Sequence, residues 1–227
     1  MGSSEAKLRE MRHRMVADQI ARRGIDDQRL LQAMRDVPRH EFVPREQRRS
    51  AYIDAPLPIG DRQTISQPYI VALMTSLLEL QGDEIVLEVG TGSGYQAAIL
   101  SCLAQQVYTV ERLERLAAEA RERLKRLGHE NVVVVVGDGT AGLPEFAPYD
   151  GILVTAAAPR VPPPLEHQLA EAGRLVLPVG GRLGQVLEVW RCEGDRMISE
   201  RVTPVAFVPL IGKHAWPEDG GSAFGWS

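Results

Sequence analysis

The stretch Ile85-Val86-Leu87-Glu88-Val89-Gly90-Thr91-Gly92-Ser93-Gly94 decides the fold. Five residues suited to a buried strand run straight into three glycines at alternate positions, and the apolar residues from Gly94 to Leu103 read as a helix. Glycines in such a turn permit positive φ and let a ligand rest on bare backbone. Downstream the alternation continues: strand Gln106 to Val110, helix Leu113 to Leu127 closed by Gly128, strand Val132 to Val136. In that helix Leu113, Leu116, Ala117, Ala120, Leu124 and Leu127 form one face, while Glu119/Arg123 and Glu122/Arg126 are spaced for surface pairs. The result is a βαβαβ unit. Its nearly uninterrupted apolar strands predict a parallel sheet covered on both faces, with a ligand crevice outside the carboxyl ends of the strands.

The spacing of the glycines narrows the ligand. A dinucleotide fingerprint needs G-x-G-x-x-G, but Tyr95 follows Gly94 and the pattern is G-x-G-x-G; no Lys-Ser/Thr completes a P-loop, and Ser93 lacks the setting of a nucleophile elbow. Glu111 directly follows the second strand, where a carboxylate can accept from both hydroxyls of a ribose. Asp138, in Gly137-Asp138-Gly139 after the third strand, is placed to accept from an adenine amino group. Taken singly, Glu111 could be a helix-start charge favoured by the dipole and Asp138 a turn residue. A glycine loop and two acids at three successive strand ends together specify an adenosine without demanding phosphate.

Outward from this unit, the second half reads as strand Gly151 to Thr155, a proline-rich turn, a helix around Leu165 to Ala172, strand Arg174 to Pro178, and antiparallel strands Val186 to Arg191 and Val202 to Val208. Upstream, Leu8, Met11, Met15, Val16 and Ile20 recur at helical spacing before Gly24, and a second short helix carries Leu30, Leu31 and Met34 before Val37-Pro38. The segments His40 to Pro44 and Ala55 to Gly60 read as loop or extended chain, and Ser66-Gln67-Pro68 as a helix start. The fold class is therefore α/β, doubly wound and mostly parallel. The expected organisation is a helical and loop extension over 1–65, a nucleotide-binding domain with its C-terminal strands over 66–216, and a flexible tail over 217–227.

The composition, 227 residues with 44% hydrophobic and 25% charged, is that of an ordinary globular protein. A formal charge of -4 offers no basic field for a phosphate backbone, so nucleic acid is not expected as the partner. No run of about 18 apolar residues and no secretory leader are visible, which predicts no membrane association and a cytoplasmic location. The two cysteines, Cys102 and Cys192, have no metal or redox spacing and read as reduced packing residues; no metal site is expected.

The chain resembles the class I methyltransferases, and among them the protein-L-isoaspartate O-methyltransferase family. The matching strings are Phe42-Val43-Pro44, Leu57 to Gly60 leading to Gln63 through Pro68, Val86 through Tyr95, Val110-Glu111-Arg112, Gly137-Asp138-Gly139, Val154 through Pro159, Leu175 through Gly180, and Phe207 through Leu210. The glycine loop indicates only a methyltransferase; Thr64-Ile65-Ser66 and Phe207-Val208-Pro209-Leu210 point to the isoaspartyl branch. The resemblance implies S-adenosylmethionine as cofactor, held by Thr64, Ile65, Ser66, Gln67, Glu88, Gly90, Thr91, Gly92, Ser93, Glu111, Arg112, Asp138 and Gly139. It implies Ser66 as the active-site residue, and Thr64, Ser66, Val205, Phe207, Val208 and Pro209 along the cleft for isoaspartyl peptides and proteins. A monomer is expected. The alternative is a class I methyltransferase for another small molecule or a nucleic acid. Two departures stand out: Arg62 occupies a place where the family commonly has glycine, and Thr140-Ala141-Gly142 lacks the tryptophan that many members carry.

An isoaspartyl α-carboxylate, with a pKa of about 3.5, is ionised at neutral pH, so no general base is required. His13, His40, His129, His167 and His214 occur singly and read as surface or packing residues. Alignment of the reactants and exclusion of water remain for the protein to supply. Ser66 can donate to the substrate carboxylate and orient it; read alone, its hydroxyl could equally cap the helix at Pro68. Glu88 is placed near the reacting centre or as an acceptor for the amides of the glycine loop.

Overall fold

The computed structural model describes residues 2–181, 183–194 and 196–218. Helix α1 (Gly2–Met15) runs through a π-turn into a 3-10 turn ending at Gly24, and α2 (Gln28–Asp36) begins where the Asp27 carboxylate accepts from the amides of Arg29 and Leu30. Two 3-10 turns, Arg39–Phe42 and Arg45–Ser50, lead to a hairpin of β1 (Leu57–Gly60) and β2 (Gln63–Ile65), then α3 (Pro68–Ser76). The central unit is β3 (Ile85–Val89), α4 (Tyr95–Ser101), β4 (Gln106–Glu111), α5 (Glu114–Arg126) and β5 (Val132–Val136). It continues with β6 (Tyr149–Val154), α6 (Pro163–His167), β7 (Leu169–Gly181), β8 (Gly184–Glu193) and β9 (Arg196–Val205).

Strands β3 to β9 form one seven-stranded sheet in the order β5-β4-β3-β6-β7-β8-β9, parallel from β5 to β7 and antiparallel beyond. The order reverses between β3 and β6, which places the crevice at their carboxyl ends. Helix α5 buries Leu116, Ala117, Ala120 and Leu124, the face expected from its periodicity. The N-terminal helices share a continuous apolar cluster with one side of the sheet, from Met15, Leu30 and Met34 through Phe42 and Tyr95 to Leu153 and Phe207. No helix among the described residues is long and apolar enough to cross a membrane.

Two expected elements move. The helix expected from Leu165 to Ala172 is only Pro163–His167, because long-range partners claim the residues beyond His167. The Gln168 carbonyl accepts from the Tyr149 amide, its side chain binds the Leu143 amide and the Ala141 carbonyl, and Leu169 pairs with Tyr149 as the start of β7. The last strand is Arg196–Val205, not Val202 to Val208. Beyond Val205 the chain leaves the ladder: Gln185 binds both the amide and the carbonyl of Phe207, at 2.6 and 3.0 Å, and Pro209 has no N–H to give. Cys102 is exposed and so not a packing residue; both cysteines are free. Most of the tail, from 219 onward, lies outside the described residues.

The β1-β2 hairpin turns on Asp61-Arg62, with φ of +48° and +58°. Such a two-residue turn favours glycine at its second position, and a side chain with a Cβ in the left-handed region costs roughly 1–2 kcal/mol. The Asp61 carboxylate is held by Arg115 of α5, with Nη2 at 2.7 Å and Nε at 3.1 Å, whereas the Arg62 side chain is exposed. Arg62→Gly should therefore raise stability by about 1 kcal/mol, seen as a rise of roughly 2–4 °C in the thermal midpoint.

Candidate active site

The glycine loop is fixed at both ends by backbone bonds: Gly90 donates to the Val110 carbonyl at 2.9 Å, and Gly94 to Thr91 at 2.8 Å. From the other side of the crevice the Thr155 hydroxyl, one residue past β6, donates to the Gly90 carbonyl at 2.7 Å. Glu111, at the end of β4, is buried beside the loop. Its Oε2 accepts from the Gly92 amide at 2.9 Å and its Oε1 from the Leu113 amide at 3.0 Å. Each oxygen retains acceptor capacity, so the carboxylate can serve the loop and a diol together. Arg112, its neighbour, is exposed.

Behind the loop runs a chain of buried hydroxyls: Thr91 Oγ1 lies 2.6 Å from Thr109 Oγ1, and Thr109 donates to Glu88 Oε2, also at 2.6 Å. Glu88 is fully buried and, among the described residues, is hydrogen-bonded only to Thr109, so it does not accept from the loop amides and presents no exposed surface to a ligand. Its second oxygen has no hydrogen-bond partner among the described residues. Burial pushes the carboxyl up to about 8, against the pull of the Thr109 hydrogen bond. A carboxyl whose folded value lies above its unfolded value adds stability at low pH that is lost as pH rises through the folded value. From about pH 5 to 8.5 the native protein should lose a few kcal/mol more stability than Glu88→Gln, which does not titrate. Denaturant unfolding of both proteins across that range measures the difference.

At the end of β5, Asp138 Oδ1 accepts from the amide and hydroxyl of Thr140, at 2.9 and 2.7 Å, and Oδ2 from the Lys213 amide at 2.8 Å. Burial raises its carboxyl, but these hydrogen bonds outweigh it and hold it below the ordinary aspartate value. The C-terminal segment thus closes against Asp138, leaving Oδ2 one direction for a further donor. The same segment is secured where the Trp216 indole donates to the Ala157 carbonyl at 3.1 Å. Gly139 sits so close to Val89 and Val110 that a Cβ there would overlap them.

The β1-β2 hairpin lies over the loop, with Ile59 against Gly92. Thr64 is exposed, Ile65 buried and Ser66 half-buried. Helix α3 is capped at Gln67 without any side-chain bond, so Ser66 does not cap it. The Ser66 hydroxyl makes no hydrogen bond among the described residues, while the Gln67 side-chain amide binds Asp54 at 2.7 Å. Along the far wall, Val208 and Leu210 bond to the backbone of Ala157 at 2.8 Å each, placing Phe207 to Pro209 beside the residues that follow β6. Val205 ends β9. None of the five histidines bonds to the loop or to Ser66 among the described residues; His40, for one, is buried against the Tyr52 hydroxyl. Thr109, Thr155, Gln185 and Arg39, which binds the Ser66 carbonyl, were not apparent from the sequence. Only Thr155, just past an apolar strand at the crevice, carried a signal that could have found it.

A family model described as protein-L-isoaspartate(D-aspartate) O-methyltransferase (PCMT) matches residues 10–215. The chain belongs to this family. A protein-L-isoaspartate O-methyltransferase of Methanoregula boonei is 60% identical over 205 residues, covering 90% of this chain and 94% of that one. One from Roseiflexus castenholzii is 57% identical, covering 89% and 93%. Among solved structures, a protein-L-isoaspartate O-methyltransferase superposes with a TM-score of 0.81 at 30% identity, over 91% of this chain and 67% of that one. A Plasmodium falciparum protein described as a putative family member, in complex with S-adenosyl-L-homocysteine, gives 0.77 at 27% identity, over 88% and 98%. The family's cofactor is S-adenosylmethionine, and the site fits it: a bare-backbone loop, one carboxylate with free lone pairs beside it and a second at the next strand end.

Proposed function

We propose that this chain transfers a methyl group from S-adenosylmethionine to the free α-carboxylate of L-isoaspartyl residues in damaged peptides and proteins, the first step of their repair. The observation that carries this reading is the Ser66 hydroxyl, unpartnered among the described residues and just past the hairpin whose Ile59 rests against Gly92, in a chain of this family. Gly90, Thr91, Gly92 and Ser93 would cradle the cofactor, Glu111 would accept from its ribose, and Asp138 with Gly139 would border its adenine. Thr64, Ile65, Ser66 and Gln67 would cover it, and Arg112 would flank it. The bound cofactor supplies an electrophilic methyl group on sulfur.

The acceptor carboxylate arrives ionised, so the protein has only to orient it and keep water out. Ser66 donates to one carboxylate oxygen and so selects which oxygen attacks; strong donation would blunt the nucleophile, so its role is orientation. Thr64, Val205, Phe207, Val208 and Pro209 would line the path of the peptide. The protein acts as a monomer in the cytoplasm and not on nucleic acid, the last a reading that its net charge of -4 supports.

The test is transfer of label from S-adenosylmethionine to an isoaspartyl peptide and to its aspartyl twin. Selective labelling of the former is expected; labelling of neither, or of both alike, would overturn the reading. Ser66→Ala should lower kcat by roughly tenfold or more, the loss of one orienting hydrogen bond in the transition state, with cofactor affinity nearly unchanged. Unchanged turnover in a folded variant removes Ser66 from the mechanism.

A further inference from the structure

Behind Ser66 lies a cation that the reaction as described does not use. Arg39 opens the 3-10 turn after Pro38 and is completely buried. Its Nη2 donates to the Ser66 carbonyl at 2.7 Å and its Nε to the Ala51 carbonyl at 2.8 Å. Among the described residues its Nη1 has no partner that meets hydrogen-bond geometry. The guanidinium sits 4.9 Å from the ring centroid of Tyr95, the first residue of α4 after the glycine loop. Phe42 of the same turn packs edge-on against that ring at 5.4 Å.

No carboxylate forms an ion pair with Arg39 among the described residues. Asp54, the acid that acts on it through space, is itself bonded to Arg23, Gln67 and the Tyr69 amide. Burial lowers the guanidinium only to about 10, so the charge persists at neutral pH. Burying a charge without a counter-ion is costly, and a tether between two carbonyls and a ring does not require one. An anion bound next to Ser66 would supply the missing partner.

We propose that Arg39 is a positioning residue: it ties the Ser66 backbone to the first turn of α4, so that acceptor segment and cofactor loop keep one geometry, and its uncompensated charge draws the substrate carboxylate to Ser66. The inference rests on the function proposed above. The two roles separate by substitution. Methionine, of similar length, removes both the charge and the donors; lysine keeps the charge but loses the planar fork that reaches Ala51 and Ser66 together.

The experiment measures kcat and KM for an isoaspartyl peptide, and calorimetric affinity for S-adenosylhomocysteine, in Arg39→Met, Arg39→Lys, Ser66→Ala and the double variants. For Arg39→Met a roughly tenfold rise in KM and a tenfold fall in kcat are expected, the scale set by one unscreened charge at an effective dielectric of about 20. Affinity for S-adenosylhomocysteine should stay within about threefold. Arg39→Lys should keep KM and lose kcat. In the Ser66→Ala background either substitution should lower kcat by less than about threefold, because both residues act through the same hydroxyl.

Effects on kcat that multiply across the two sites, or an Arg39→Met protein with native KM and kcat, overturn the proposal. If Arg39→Met does not fold, the lysine variant decides it by the same additivity criterion. A native protein that labels no isoaspartyl peptide defeats the function and this inference with it; an active native protein with additive variants defeats the inference alone.

Discussion

Gly90→Ala is expected to lower affinity for S-adenosylhomocysteine by at least about 100-fold and stability by roughly 2–4 kcal/mol. The backbone at Gly90 has φ of +98°, a region that side chains with a Cβ avoid, and the added methyl would overlap the Thr155 hydroxyl. Relief requires Thr155 to swing off the Gly90 carbonyl, breaking the 2.7 Å hydrogen bond that joins the end of β3 to the end of β6. Those two strands flank the switch point of the sheet, so the cradle opens where a cofactor would rest on backbone. Thr155→Ala separates the contributions: it removes the hydrogen bond without straining φ, and should weaken binding by about tenfold or less. Calorimetry with S-adenosylhomocysteine, with circular dichroism to confirm folding, measures both. A folded Gly90→Ala protein with native affinity would contradict the assignment of the loop.

The second large effect belongs to Glu111. Glu111→Ala leaves the Gly92 and Leu113 amides without their acceptor and deprives a bound adenosine of its diol partner. Hydrogen bonds to a charged acceptor contribute about 1.5–3 kcal/mol each, so two lost to the ribose correspond to a roughly 100-fold or greater loss of affinity. Glu111→Gln keeps one carbonyl acceptor and should lose about tenfold. A cofactor analogue without its ribose 2′-hydroxyl makes the cause visible: it should bind the native protein markedly worse than S-adenosylhomocysteine, yet bind Glu111→Ala almost equally well. Equal penalties for the missing hydroxyl in both proteins would mean that Glu111 serves the loop alone.

Ser66 shows where local reading stops. Its sequence setting, a hydroxyl two residues before the proline that opens α3, is that of a helix cap. In the folded protein Gln67 takes the cap position and the hydroxyl has no partner among the described residues, because Arg39, 27 residues earlier, holds the Ser66 carbonyl and Asp54 holds the Gln67 side-chain amide. Asp138 shows the same limit at the other end of the crevice. Its place after a strand is legible, but the partner that fixes its Oδ2 is the Lys213 amide, 75 residues away. Glu88 was legible as a strand-end acid; its burial against Thr109, and hence its raised pKa, depends on a neighbouring strand.

The central unit was determined by the sequence alone, and for a physical reason. The alternation from β3 to β5, the buried face of α5 and the glycine turn arise from periodicity and backbone preference within short stretches of chain. The acids at successive strand ends reflect the same local order. Only the tertiary structure decided the rest: that α6 stops at His167, that the chain leaves the sheet after Val205 into the grip of Gln185, and that the loop is braced by Thr155. It also decided that a buried arginine stands behind Ser66. Each of these depends on a polar group finding its partner across a large sequence separation, which no local pattern encodes.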